Sequence, residues 1–199
     1  MTIPQRETPE YLQFRAELDR MRELHRSSAL AEPVCRYIGD PPGKTLALTY
    51  AEQFPRADVG TAFPVFCAAI PPTPAHRTQS YLVAALLEQL GDPEATKRED
   101  SVLKSVRFIK LLRRYEVELV ILTDVHRLTT PGGTKLLLGE FDWIKWVFKS
   151  ELPNVALLLV GEIEVLDELI DANAQFSRLL SPIRLEGGWR SIDNKQGWD

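Results

Sequence analysis

Two near-continuous apolar runs, residues 118–125 (ELVILTDV) and 155–161 (VALLLVG), constrain this chain more than anything else in it. A strand with one wet face alternates apolar and polar residues, whereas a strand covered on both faces is apolar throughout. Sheets covered on both faces are parallel, with helices as the crossovers. The remaining segments agree. Val34-Cys35-Arg36-Tyr37-Ile38-Gly39 reads as a short strand ending in glycine, 64–70 as a buried strand, and 183–185 as a last short one. Helical spacing fills the gaps. Tyr11, Phe14, Leu18, Met21 and Leu24 recur every three or four residues over about 9–25, with Pro9 at the start, where a missing N–H is harmless. Further helices are expected from Gly43, over 73–90, over 101–115, around Leu136, Leu137, Phe141, Ile144 and Phe148, and over 165–180. Strands alternating with helices predict an α/β fold built on a parallel sheet.

Composition narrows the class. A chain of 199 residues has room for one domain, or one and a small appendage, and can bury a core without staples. The net charge of -4 argues against indiscriminate coating of nucleic acid, although a local basic face stays open. Cys35 and Cys67, both in apolar runs, exclude a disulfide framework and point to a reducing cytoplasm. No apolar stretch reaches about 18 residues and the N-terminus lacks a signal-peptide core, so no membrane partner is expected.

The segment with chemistry is Gly39-Asp40-Pro41-Pro42-Gly43-Lys44-Thr45, between a strand and a helix. A phosphate-binding loop needs inward backbone N–H groups, a lysine for the β- and γ-oxygens, and a hydroxyl for Mg²⁺. Lys44 and Thr45 suit the last two roles, and the helix start adds its positive dipole end. The loop is one residue short, with three residues between its glycines instead of four, and two of those are prolines without an N–H. The alternative is a tight turn opening a helix. The other half of such a site is an acidic strand end, an Asp for Mg²⁺ and often a Glu to polarise water. Here the strand ends Leu122-Thr123-Asp124-Val125-His126, with one carboxylate. Either Asp124 is the metal-orienting acid and Val125 replaces the base, or Thr123 replaces the acid and Asp124 the base.

In combination these pieces resemble the AAA+ transposition ATPases of the TniB/TnsC type, relatives of MuB. The resemblance runs over about 9–189 through YIGDPPGKT, FPVFCAAIPPTP, ILTDVHRL, ALLLVGEIEVLDEL and QFSRLLSPIRLEGGW. It implies a P-loop NTPase three-layer sandwich with five parallel strands in the order 5-1-4-3-2, after an N-terminal helical extension (1–30) and before a short polar tail (190–199). It implies ATP and Mg²⁺ held by Gly39, Gly43, Lys44, Thr45 and Asp124, with Thr45 and Asp124 on the metal. Val125-His126-Arg127-Leu128 sets the register, so Thr123 stands where the family has its metal-orienting Asp and Asp124 where it has the catalytic Glu. Arg178 matches the arginine reaching toward a neighbour's nucleotide. Glu162 stands where a polar uncharged sensor is usual, and would repel a γ-phosphate. The family's helical lid should follow Trp189, where only RSIDNKQGWD remains, so a lid is expected to be absent. A shortened loop, Thr123, Glu162 and the missing lid imply weak or lost hydrolysis.

The implied partners are double-stranded DNA, a transposase, a target-selection protein and further copies of the chain in a ring or filament. For DNA the sequence offers Lys104, Arg107, Lys110 and Arg114 in the helix at 101–115, with Arg107, Lys110 and Arg114 on one face and Val106, Ile109 and Leu112 near the opposite one. The alternative is a solvated basic face balanced by Glu116 and Glu118. Phe141, Trp143, Trp146 and Phe148 cannot all face one way; most belong to the core, with one or two left for a subunit contact. His25, His76 and His126 show no metal-ligand spacing, and no Ser/His/Asp arrangement is legible. Three functions stand: a degenerate AAA+ transposition adaptor, an active ATP-dependent DNA-binding transposition ATPase, and a pseudo-ATPase interaction module of another mobile-element or defence system.

Overall fold

The computed structural model describes residues 8–26, 33–55, 61–72, 79–128, 138–171 and 178–185. Five strands, β1 (Cys35–Gly39), β2 (Val65–Ala69), β3 (Leu119–Thr123), β4 (Ala156–Gly161) and β5 (Leu180–Pro182), form one sheet in the order β2-β3-β4-β1-β5. Every pairing is parallel. Read from β5, this is the order that the resemblance implies.

Alternation along each strand feeds two cores. Leu119, Ile121, Leu158 and Val160 point to one face, where α1 (Pro9–Arg26) and α2 (Gly43–Ala51) pack through Tyr11, Phe14, Leu18, Met21, Leu46 and Tyr50. Val120, Leu122, Leu157 and Leu159 point to the other, which is covered by α3 (Gln79–Gln89), α4 (Ser101–Arg114), α5 (Leu138–Trp146) and α6 (Ile163–Asp171). A strand buried on both faces is near-continuously apolar, and all five residues of β3, with Thr123 the one polar side chain, and all six of β4 are buried. The N-terminal helix is also tied down by charge. Arg22 Nε donates to Glu118 at 2.8 Å and Arg22 Nη1 to the Tyr50 hydroxyl at 3.3 Å, and the guanidinium lies 4.5 Å from the Phe54 ring centre.

Both sheet edges are blunted. On β2, Gln89 completes the pattern of a further strand with its side-chain amide, accepting from Ala69 N at 2.8 Å and donating to Ala69 O at 3.0 Å. On β5, Pro182 removes one N–H from the edge.

Some boundaries differ from the expected ones. The last strand lies at Leu180–Pro182, not 183–185; α6 is described over Ile163–Asp171, and the chain is in a turn at 178–179, so the helix does not run to 180. Register is the reason. Leu180 pairs with Cys35 and Pro182 with Tyr37, and Ile183 N still donates to Tyr37 O at 2.8 Å beyond the strand end. The helix carrying Phe141 is α-helical to Trp146 and closes in a π-helical turn, Val147–Glu151. Within it Phe141, Trp143 and Phe148 are buried, and Trp146 is exposed. Residues 73–78, Leu136, Leu137, His76, Trp189 and the tail at 190–199 lie outside the described residues. No helix among the described residues is long and apolar enough to cross a membrane.

Candidate nucleotide site

The C-terminal ends of β1, β3 and β4 converge, as binding ends do in open parallel sheets. Glycines permit the approach. A Cβ on Gly43, at the start of α2, would sit 2.9 Å from Ile38 Cγ2 and 3.1 Å from Val160 Cγ1. A Cβ on Gly161, the last residue of β4, would sit 3.1 Å from His126 N and 3.2 Å from Val125 Cβ. The 3-10 turn Val125–Leu128 therefore crosses the end of β4 closely, which brings Asp124 to the loop that opens α2.

Asp124 adopts a left-handed backbone with φ of 58°, a conformation that Asp tolerates better than most residues. Its side chain is 5% exposed and accepts from Lys44 Nζ at 2.6 Å, while Arg127 Nη1 lies 3.7 Å from its other oxygen. Arg127 also donates to Ile70 O at 3.1 Å, joining the ends of β2 and β3. The side chain that meets Lys44 is Asp124; Thr123 is buried, and its carbonyl accepts from Ile70 N at 2.9 Å.

The loop between the glycines is committed inward. Asp40 N donates to Gly161 O at 2.9 Å, Pro41 and Pro42 carry no N–H, and Lys44 N donates to Asp40 Oδ1 at 3.3 Å. Two carboxylates of the chain thus hold the groups that would face phosphates: Asp40 the helix N-terminus, Asp124 the lysine. The residues fit a magnesium nucleotide in part. Lys44 suits a phosphate, the exposed Thr45 hydroxyl and Asp124 suit the cation, and the backbone cradle is poor in donors.

Other expected residues lie elsewhere. Gly39 is buried at the end of β1, paired in register with Gly161. Glu162 is exposed just past β4, and Arg178 is exposed in the turn before β5. On α4 the four candidate DNA contacts divide. Lys104 is buried, and Arg107 is held by Asp92 at 3.2 Å, Glu94 at 3.8 Å and Glu99, whereas Lys110 and Arg114 are exposed. Ile109 and Leu112 are buried, but Val106, expected beside them, is exposed, and Phe108 takes the inward position. Among the described residues no group of His, Cys, Asp and Glu could hold a metal on its own.

Sequence reasoning missed Asp40, Arg127 and Gly161 as parts of this site. Asp40 was visible as a carboxylate four residues before Lys44, the spacing of one helical turn. Gly161 and Arg127 act through contacts that no local pattern announces.

Comparison with known proteins bears on the fold and the family. A family described as "Bacterial TniB protein" matches residues 2–190. No curated protein matches the chain. Among solved structures, the ORC2 protein of Aeropyrum pernix, in ADPNP-ADP complexes, is similar at a TM-score of 0.55 and 14% identity, over 85% of this chain and 46% of that one. The Walker-type ATPase paby2304 of Pyrococcus abyssi is similar at a TM-score of 0.53 and 18% identity, over 91% of this chain and 52% of that one. The chain spans about half the length of each. At such identities the likeness shows the P-loop ATPase fold and nothing finer.

Proposed function

Because this chain belongs to the TniB family, we propose that it is a transposition adaptor of AAA+ type, binding nucleotide weakly and hydrolysing it slowly or not at all. In this reading it assembles with copies of itself, engages target DNA, and links a target-selection protein to a transposase.

One observation carries the view of the nucleotide site: Lys44 is engaged by the buried Asp124 at 2.6 Å, with a loop between them that has few donors to offer. A nucleotide must pull Lys44 from Asp124 and displace Asp40 from the start of α2, and it recovers few backbone hydrogen bonds in return. With Thr123 at the end of β3, one carboxylate remains to hold the metal and polarise water. Losing either function costs several kcal/mol of transition-state stabilisation, on the order of a hundredfold or more in rate. Arg178, exposed in the turn before β5, is the residue we assign to reach a neighbour's nucleotide.

DNA engagement is kept as a property of the assembly. Of the four α4 cations read from the sequence, Lys104 and Arg107 are spent inside the protein, so the reading does not depend on that helix.

The test is phosphate release with Mg²⁺-ATP, beside binding of a fluorescent ATP analogue with and without Mg²⁺. The expected outcome is weak binding that drops in Lys44→Ala and turnover indistinguishable from that variant. Saturable turnover abolished by Lys44→Ala would show an active ATPase. DNA titrations at two salt concentrations, with electron microscopy of protein, DNA and ATP together, test the assembly; no association with DNA under any condition overturns that half.

A further inference from the structure

The outer face of α4 is exposed, and within it Arg113 donates to Glu151 O at 2.6 Å. Val102 is 65% exposed and Leu103 55%, and Val106, Lys110, Arg113 and Arg114 complete the stripe. At 100° per residue these six occupy one contiguous face, opposite the buried Ser105, Phe108, Ile109 and Leu112. Exposed aliphatic side chains rimmed by cations mark a surface of the kind that meets another protein. A surface tracking phosphates has less use for Val102 and Leu103.

The same molecule carries the complementary charge. The exposed face of α6 consists of Glu164, Asp167, Glu168 and Asp171, four carboxylates within one 100° arc, while Leu166, Leu169 and Ile170 face the core. Asp167 is held above the usual carboxylate range by burial and, after the Tyr37 hydrogen bond that opposes it, by Asp171 and Glu164. Both helices belong to the layer on one face of the sheet. α4 packs on α3, which packs on β2, whereas α6 packs on β1. Given the strand order, the basic and acidic faces lie toward opposite ends of that layer.

We propose that the α4 face of one copy docks the acidic α6 face of a second copy, a head-to-tail contact in which Lys110 and Arg114 meet Glu164, Asp167, Glu168 and Asp171. Each copy keeps one face of either kind unused, so the contact propagates into an open filament or a closed ring. The proposal rests on the self-assembly in the function above, and on neither its nucleotide nor its DNA reading.

Two charge-reversed variants decide it: Lys110→Glu/Arg114→Glu and Glu164→Lys/Glu168→Lys. All four positions are exposed, and circular dichroism melts check that both variants fold. Sedimentation velocity is run with and without Mg²⁺-ATP and DNA. The wild type should self-associate, less so as salt rises from about 50 to about 500 mM. Each variant alone should self-associate at least tenfold more weakly. Mixed one to one, the variants should recover association, because one retains the acidic face, the other the basic face, and the reversed faces are again complementary. A wild type that stays monomeric in every condition, or folded variants that associate as it does, overturns the proposal. So does a Lys110→Glu/Arg114→Glu protein that assembles normally but loses DNA, which would assign α4 to nucleic acid.

Discussion

The Lys44–Asp124 pair is unequally buried, and this asymmetry makes a quantitative prediction. Lys44 is 36% exposed at its side chain and Asp124 5%. Removing one partner of a buried pair strands the other charge, at about 3–5 kcal/mol when that charge stays dry. Lys44→Met strands Asp124, which among the described residues keeps Arg127 at 3.7 Å, so the expected loss is about 2–3 kcal/mol. Asp124→Asn strands Lys44, but a lysine one-third exposed rehydrates, and Asn accepts the φ of 58° that position 124 requires. Its expected loss is about 1 kcal/mol or less, the range of solvent-screened pairs. The double variant should be more stable than Lys44→Met alone, because no carboxylate is left to strand. Equilibrium urea unfolding without nucleotide, at unchanged m-value, measures all four proteins; in a chain of this length about 1 kcal/mol moves Tm by about 2–4 °C. Equal losses in the two single variants within about 0.5 kcal/mol, or a larger loss in Asp124→Asn, would refute the reasoning.

Other outcomes follow from the packing. Gly43→Ala places a Cβ 2.9 Å from Ile38 and should destabilise by about 1–3 kcal/mol in the same urea assay; a neutral result would mean that the start of α2 shifts freely. Arg22→Ala should cost about 3 kcal/mol by leaving the largely buried Glu118 without its 2.8 Å partner, and Arg22→Ala/Glu118→Gln should recover part of it; additive losses would deny the coupling. Stability should also fall at alkaline pH. Burial pushes the Cys35 thiol from 9.0 up to about 12, and that of Cys67 to about 11, so between these limits the unfolded chain releases protons that the fold retains. Stabilisation is whole below pH 9 and shrinks as pH rises through the window, at up to about 1.4 kcal/mol per pH unit for each thiol. Cys35→Ala should flatten the decline in unfolding free energy between about pH 8 and pH 10.5; a slope unaffected by that change would place its cause elsewhere.

The sheet was legible because two-sided burial writes itself as uninterrupted apolar runs, and apart from Thr123 at the end of β3 the residues of β3 and β4 carry nothing else. β5 was misplaced by three residues because Val165, Leu166, Leu169, Ile170, Leu179 and Leu180 continue a helical spacing through the strand. What places Leu180 is pairing with Cys35, 145 positions away, which no local window contains. The site divides similarly. Lys44 and Asp124 could be named from their neighbours, but their contact spans 80 positions. On α4 the spacing of Arg107, Lys110 and Arg114 was read correctly as one face. The loop at 91–100 then supplies Asp92, Glu94 and Glu99 to Arg107, and that capture is tertiary.

Gln89 and Pro182 bear on how such a protein can crowd together without damage. A molecule that stacks copy upon copy brings sheet margins to high local concentration, where unpaired strands recruit one another irreversibly. Here one margin is occupied by an amide imitating a strand, and the other is broken by a residue that cannot donate. The proposed association is thereby left to helix faces, whose charges salt can loosen, and Gln89→Ala should reveal the difference as aggregation that salt no longer reverses.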